Sequence, residues 1–139
     1  MGEPGVWVWR AAWHDATMYA VGYATGEPRF ARLYRSTDGV DREPWVPVLF
    51  ADGYPNESGL VVAPDGTAFC LLRRDGDDAT AQLGRALPPY REWSWMDLGV
   101  RVGGPRCSGC PTGGCSPGYA CSTARSAPRS APSTRCAVR

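Results

Sequence analysis

Glu57 and Arg73 are the residues of this sequence whose types and spacing are best suited to chemistry. Two β-forming runs, residues 58–63 and 67–72, flank the turn Pro64-Asp65-Gly66, in which proline presets φ and glycine permits a positive φ. This pattern predicts a hairpin that places Glu57 opposite Arg73, on the same face and at the end away from the turn. A carboxylate and a guanidinium on rigid strands can form part of an anion-binding site, or a surface ion pair worth about 0.2–1 kcal/mol. The spacing alone leaves both interpretations open.

The segments before and after this hairpin have the composition of further strands. Aromatic and β-branched residues are concentrated in residues 6–10, 18–23, 30–36 and 45–50. No convincing helical period appears, and Gly or Pro interrupts most windows that are long enough for a helix. The pattern restarts about fifty residues later, because residues 15–19 align with residues 65–69 and Leu33 aligns with Leu83.

A repeat of 40–50 residues built from four short antiparallel strands is typical of a β-propeller blade. The sequence therefore predicts an all-β fold in residues 1–105, with about two four-stranded antiparallel blades at roughly residues 6–50 and 57–98. A blade cannot bury both of its faces alone, so two blades would leave apolar faces exposed. We therefore expect the chain to be an interior fragment of a longer propeller.

The stretch after the third run resembles an Asp box, the turn that joins the third and fourth strands of a blade in the sialidase (neuraminidase) superfamily. Residues 34–39, Tyr-Arg-Ser-Thr-Asp-Gly, are followed by Trp45, which is similar to the pattern S-x-D-x-G-x-x-W. The box is structural in that family, so the resemblance bears on the fold. It implies a fragment of a six-bladed, BNR-repeat propeller over roughly residues 7–105.

The Glu57 hairpin is similar to a second motif of the same superfamily. Asn56-Glu57-Ser58 is followed by an apolar strand, the Asp65-Gly66 turn, a second strand and Arg73. The resemblance implies that Glu57 is the carboxylate that polarises a tyrosine nucleophile, since a phenol with a pKa of about 10 needs a base before it can attack the anomeric carbon. It also implies that Arg73, or its neighbour Arg74, helps to clamp the carboxylate of sialic acid.

The implied activity is that of an exo-α-sialidase type of glycoside hydrolase, which removes a terminal sialic acid or a related sugar from a sialoside-like carbohydrate partner. Most of that site would lie outside this chain, and the further candidates within it are Arg10, as a substrate-binding arginine, and Tyr54. Arg10 can equally alternate with Trp9 on a strand, and Tyr54 precedes a proline in a loop. The alternative function is a non-catalytic pair of blades that binds carbohydrate or protein.

Charge and composition argue against several other classes of partner. The formal net charge is +1 and the arginines of the first hundred residues are scattered among acids, so no nucleic-acid partner is expected. No apolar run reaches the ~18 residues of a membrane span, and residues 1–4 lack the pattern of a signal peptide. Asp75, Asp77 and Asp78 lack the spacing of a calcium loop, and we expect no metal or cofactor. Oligomeric state and cellular location stay open.

Residues 106–139 differ in composition from the rest of the chain. Cysteines occur there among Ser, Pro, Ala, Gly and Arg, at Cys107, Cys110, Cys115, Cys121 and Cys136. A zinc site would need a second closely spaced pair besides Cys107 and Cys110, and a disulfide module would need an oxidising compartment. The composition favours a disordered low-complexity tail, and a change of reading frame would explain it.

We predict that translation is out of frame from about codon 106 onward. Every cysteine codon begins with TG, so a shift back by one base converts it to NTG, which encodes Leu, Val or Met. With G/C-rich codons, residues 105–123 then read as a strand, a Pro-Asp-Gly turn and a strand, a little under fifty residues after Pro64-Asp65-Gly66. Sequencing of the DNA tests this prediction, which stop codons or a polar sequence in the shifted frame over codons 105–125 would overturn.

Overall fold

The computed structural model describes residues 3–107 and 121–122, and every regular element in these residues is a β-strand. Eight strands form two four-stranded antiparallel sheets, in which neighbours in the sheet are also neighbours along the chain. The prediction of an all-β chain with about two four-stranded blades is confirmed. No membrane-spanning helix is found in this part of the chain.

Strands at equivalent positions of the two sheets begin about fifty residues apart, in agreement with the repeat in the sequence. The first sheet consists of β1 (Val6–His14), β2 (Thr17–Ala24), β3 (Ala31–Ser36) and β4 (Glu43–Phe50). The second sheet consists of β5 (Pro55–Val62), β6 (Ala68–Arg74), β7 (Gln82–Ala86) and β8 (Ser94–Asp97). Because consecutive strands pair, short connections suffice throughout both sheets.

The first hairpin of each sheet closes with residues in the left-handed region of backbone conformation. Between β1 and β2, Asp15 has φ 46° and Ala16 has φ 58°, as in a type I′ turn. Between β5 and β6, Ala63 donates its N–H to the carbonyl of Thr67 at 2.8 Å, and Gly66 has φ 81°. The predicted Pro-Asp-Gly hairpin is therefore confirmed.

The core lies between the two sheets, where one face of each sheet packs against the other. Its buried side chains are those of Val21, Ala31, Leu33, Leu49, Leu60, Ala68, Cys70, Leu72, Ala86 and Tyr90. Successive side chains of a strand point to opposite faces, so every second residue of β6 enters this core. Each large aliphatic side chain that is fully buried contributes about 1.5–3 kcal/mol, and this shared burial holds the sheets together.

Trp45 of β4 joins the outer parts of the two sheets. Its indole N–H donates to the carbonyl of Pro89 at 2.6 Å, and Arg91 donates to the carbonyl of Trp45 at 2.7 Å. The guanidinium carbons of Arg35 and Arg91 lie 3.5 and 3.3 Å from the centroid of the indole ring, so the ring has two cation–π partners. Trp45 therefore fixes β4 against the segment that leads into β8.

The segment that follows β8 covers the other face of the second sheet. Leu71 and Val102 belong to one buried cluster on this face, and Pro105 is fully buried. Pro55, fifty positions earlier, is also fully buried at the start of β5. The short strand β9 (Arg106–Cys107) lies against β5 and β6, as β5 lies against β1 and β2. After Pro105, the chain therefore lies where the fifty-residue repeat predicts the first strand of a third sheet.

The cysteine-rich segment is described at four residues beyond Pro105. There β9 pairs in antiparallel fashion with β10 (Cys121–Ser122). The other residues of 106–139, and with them most of the segment predicted to be disordered and out of frame, lie outside the described residues.

Ala16 and Gly66 occupy equivalent places in the two hairpins and permit a paired test of the turns. A Cβ is strained at positive φ, so Ala16→Gly is expected to raise the free energy of unfolding by about 0.5–1 kcal/mol, and Gly66→Ala to lower it by at least as much. A Cβ at Gly66 would lie 3.5 Å from its nearest neighbour, an ordinary contact, so backbone strain dominates. Urea denaturation measures both variants, and changes of the same sign would contradict the equivalence.

Candidate functional site

Glu57 and Arg73 lie side by side on β5 and β6, at the end of the second sheet away from its first turn. Arg73 donates from Nη1 to Oε2 of Glu57 at 3.0 Å. The predicted juxtaposition of these two side chains is confirmed. The backbone around Gly104 borders the pair, because a Cβ built on Gly104 would lie 3.5 Å from Oε2 of Glu57.

A β-bulge at the start of β5 brings Asn56 next to the Glu57–Arg73 ion pair. The register of β5 against β6 shifts between Pro55 and Ser58, so Asn56 and Glu57 together oppose Arg73. Glu57 keeps the position that a regular ladder predicts, while Asn56 is the extra residue. Its side-chain oxygen accepts the backbone N–H of Glu57 at 2.9 Å, which fixes the bulge.

Asp75 extends the ion pair into a network of four side chains. Arg73 donates from Nε to Oδ1 of Asp75 at 2.7 Å, and Asn56 donates from Nδ2 to Oδ2 of the same carboxylate at 2.5 Å. The side chains of Glu57, Arg73 and Asp75 are all partly exposed, so a ligand can reach them from solvent. From the sequence, Asp75 was expected only in a solvated turn, and its contact with Arg73 was missed.

The four-residue network contains two carboxylates and one guanidinium. Partial burial acts to lower the pKa of Arg73, but the hydrogen bonds and charges of Asp75 and Glu57 outweigh it, and the pKa is raised. Arg73 is therefore a permanent cation whose Nε and Nη1 are held by acids of the same chain. Within residues 3–107, no hydrogen bond of the network engages its Nη2.

Tyr23, near the end of β2 in the first sheet, has a phenol on which the charges of this network act. Tyr23 is only 8% exposed, and its pKa is raised chiefly by burial and then by the negative charge of Glu57, while the charge of Arg73 acts to lower it. The charges of the second sheet therefore act on this phenol across the boundary between the sheets. A raised pKa keeps the phenol protonated at neutral pH, so Tyr23 is a hydrogen-bond donor there.

Trp7 lies on the outer side of Tyr23. The two residues pair across β1 and β2, with ring centroids 6.4 Å apart, and Trp7 is 62% exposed. Positions 7 and 23 precede Glu57 and Arg73 by fifty residues each. The same two places in the repeat therefore hold an aromatic pair in the first sheet and an ionic pair in the second. This offset is the sequence signal that could have identified Trp7 and Tyr23.

Arg74 lies on the opposite face of β6 from Arg73 and has different partners. Its side chain is 8% exposed and donates to Asp52 at 2.9 Å, to Asp97 at 2.8 Å and to the carbonyl of Thr80 at 2.6 Å. Acceptors from three residues, Asp52, Thr80 and Asp97, occupy this guanidinium, so it ties the connecting loops together. The structure does not bring Arg74 together with Glu57.

Among the described residues, the side chains of Arg10 and Tyr54 make no hydrogen bond to Glu57 or Arg73, although the carbonyl of Tyr54 accepts the backbone N–H of Asp75 at 2.9 Å. Arg10 is exposed on β1, opposite Val21, and in the described ranges no hydrogen bond or ion pair joins it to the network. Tyr54 has φ 58°, and the guanidinium carbon of Arg29 lies 4.1 Å from the centroid of its ring. Tyr54 therefore packs against Arg29, and its ring is partly exposed.

The segment that resembles an Asp box forms the turn between β3 and β4, where the resemblance places it. Oδ1 of Asp38 accepts the N–H groups of Val40 and Asp41 and the hydroxyl of Ser36, each at 2.8 Å. These hydrogen bonds lower the pKa of Asp38. Every one of these contacts is internal to the turn, so Asp38 stabilises the connection between the two strands.

Comparison of the chain with family models, with curated proteins and with solved structures found no match. No group of three or more His, Cys, Asp or Glu residues suited to a metal ion occurs in residues 3–107 or 121–122. The side chains at this end of the sheets are carboxylates, a guanidinium, an amide, a phenol and an exposed indole. Together they can exchange hydrogen bonds with hydroxyl groups and cover an apolar ring face, which are the requirements of a carbohydrate site.

The adjacent arginines are expected to differ in their contribution to stability. Arg74→Met removes a nearly buried cation from acceptors of three residues and is expected to lower the free energy of unfolding by about 1–3 kcal/mol. Arg73→Met acts on a side chain that is 32% exposed, and a loss of about 0–1 kcal/mol is expected. Chemical denaturation of both variants measures the two losses. A larger loss for Arg73→Met would assign Arg73 to the framework of the fold.

Proposed function

We propose that the chain contributes part of the substrate site of a sialidase-like glycoside hydrolase, in which Glu57 and Arg73 face a terminal acidic sugar. The observation that carries the proposal is the contact between these residues. The carboxylate and the guanidinium of the motif that resembles sialidases lie 3.0 Å apart, at a solvent-open end of two packed four-stranded sheets. The turn at Asp38 supports the same family of folds.

Each residue of the network has a distinct role in this proposal. Glu57 is a proton acceptor for a tyrosine hydroxyl, since a phenol reacts as a nucleophile only when a base removes its proton. Arg73 binds the carboxylate of the sugar through Nη2, while Glu57 and Asp75 hold Nη1 and Nε. Asn56 orients Asp75 and the backbone of Glu57, and so acts as a positioning residue.

The charge of the network limits what the described residues do alone. Two carboxylates against one guanidinium give a net negative charge, which repels an anionic sugar unless further cations lie nearby. Substrate positioning and charge stabilisation in catalysis come from a complete set of groups. We therefore expect this chain to bind an acidic sugar weakly and not to hydrolyse it.

A second candidate function is carbohydrate binding without catalysis. It is favoured by the raised pKa of Tyr23, because burial and the charge of Glu57 keep the phenol protonated. A protonated phenol that donates a hydrogen bond suits recognition of hydroxyl groups better than nucleophilic attack. Both candidates use the same surface, and they differ in whether bond cleavage follows binding.

The purified chain is expected to give no turnover of a fluorogenic sialoside above the buffer rate. It is expected to bind methyl α-N-acetylneuraminide, detected by saturation-transfer NMR. Arg73→Ala is expected to weaken that binding about tenfold, the effect of losing one charge-assisted hydrogen-bonded pair.

Arg85→Ala is the matched control, because Arg85 is an exposed arginine on β7 of the same sheet. Equal weakening by Arg73→Ala and Arg85→Ala would show that only the overall charge matters and would contradict the proposed site. Robust hydrolysis that Glu57→Ala abolishes would show instead that the chain holds a more complete catalytic site than we propose.

A further inference from the structure

Gly104 borders the Glu57–Arg73 pair from the segment that follows β8. Apart from its chain neighbours, the only atom of the described residues within 4 Å of a Cβ built on Gly104 is Oε2 of Glu57, at 3.5 Å. The same oxygen accepts the hydrogen bond from Nη1 of Arg73. The missing side chain of Gly104 therefore leaves space directly beside the ion pair.

Residues on both sides of Gly104 hold this segment in place. Val102 and Pro105 are buried, whereas Gly104 between them is exposed. Arg101 donates from Nε to the carbonyl of Ala79 at 3.2 Å, which joins the segment to the loop after β6. The backbone at Gly104 therefore cannot move away from the ion pair without breaking these contacts.

Neither backbone strain nor crowding requires a glycine at position 104. The φ of Gly104 lies outside the left-handed region, whereas Gly53 has φ 65°. A Cβ at Gly84 would lie 2.7 Å from the ring of Trp95, a distance that real Cβ atoms do not adopt, but the distance of 3.5 Å at Gly104 is an ordinary contact. A side chain at position 104 is therefore compatible with the fold, and its effect would be to restrict access to Glu57.

We propose that Gly104 is a specificity-determining residue, which controls access to Glu57 and admits an acidic sugar along its bare backbone. Glycine lets a ligand approach the backbone closely, because no Cβ stands between them. A sugar whose carboxylate is bound by Arg73 lies beside the oxygen that a Cβ at position 104 would contact. A larger residue there occupies the space that the sugar needs. The inference rests on the proposed function, since it concerns access of the same ligand to the same ion pair.

The first test measures binding of methyl α-N-acetylneuraminide to Gly104→Ala and Gly104→Val by saturation-transfer NMR. We expect the alanine variant to bind about threefold more weakly than the unmodified chain and the valine variant about tenfold more weakly, because exclusion of the sugar grows with the side chain. Thermal unfolding is measured on the same samples. Gly104→Ala is expected to unfold at or above the temperature of the unmodified chain, since alanine at a compatible φ lowers the entropy of the unfolded state.

Gly26→Ala is the matched control. Gly26 is also exposed, its φ also lies outside the left-handed region, and a Cβ built on it would have no neighbour within 4 Å among the described residues. Its replacement is expected to leave the affinity for the sugar within about twofold. Equal losses for Gly26→Ala and Gly104→Ala would show that the space beside Glu57 is not what the sugar needs and would overturn the inference.

Chemical labelling of Glu57 measures the same access without a sugar. A water-soluble carbodiimide adds to the carboxylate, and glycinamide then displaces it as a urea to form an amide, which peptide mass spectrometry locates. Gly104→Val is expected to slow labelling of Glu57 about threefold or more. Labelling of Glu43, which is 59% exposed, is expected to stay unchanged. Equal labelling of Glu57 in the unmodified chain and in Gly104→Val would contradict control of access by residue 104.

The outcomes separate this inference from the function on which it rests. If Arg73→Ala weakens binding of the sugar while Gly104→Val changes neither binding nor labelling, the inference is wrong and the proposed function stands. If the unmodified chain does not bind the sugar but Gly104→Val slows labelling of Glu57, the acidic-sugar function is wrong and control of access by residue 104 stands.

Discussion

The contact between the facing sides of the two sheets is the interaction on which the rest of the structure depends. Cys70, Leu71 and Leu72 are each fully buried on β6, although neighbouring side chains of a strand point to opposite faces. β6 is therefore covered on one side by the first sheet and on the other by the segment after β8.

This packing also assembles the candidate site. Arg73 directly follows the buried part of β6, so its backbone is fixed by the core rather than by the loop that comes after it. Tyr23 belongs to the other sheet, and the charges of Glu57 and Arg73 act on its phenol only because the sheets pack together. A variant that loosened the contact between the sheets would therefore disturb the site without changing any residue in it.

The sequence was sufficient to predict the features that depend on local pattern. Strand runs, the fifty-residue repeat and the Pro64-Asp65-Gly66 turn follow from residue type and spacing, and the register of the hairpin brought Glu57 to Arg73. Strand alternation predicts which residues share a face, and so it also separates Arg73 from Arg74.

Features that depend on contacts distant in sequence could not be predicted in this way. The bulge that admits Asn56 depends on the register at the open end of the hairpin, where no turn constrains the ladder. The partners of Arg74, at Asp52 and Asp97, are far from it along the chain, and nothing in the local pattern around Arg74 indicates them. Asp75 follows a strand end, and its direction is set by hydrogen bonds rather than by periodicity.

The shared place of Trp7 with Glu57, and of Tyr23 with Arg73, has a consequence for how such a surface can change. The strands that hold a cross-strand pair occupy equivalent positions in both units, while the two side chains of the pair differ completely. Each unit thus presents one cross-strand residue pair whose side chains can be substituted while the strands that hold them stay in place. In a chain built from this repeat, each unit would contribute its own residue pair to ligand preference. A new preference could then arise by substitution of one pair, without a change in the strands or the core.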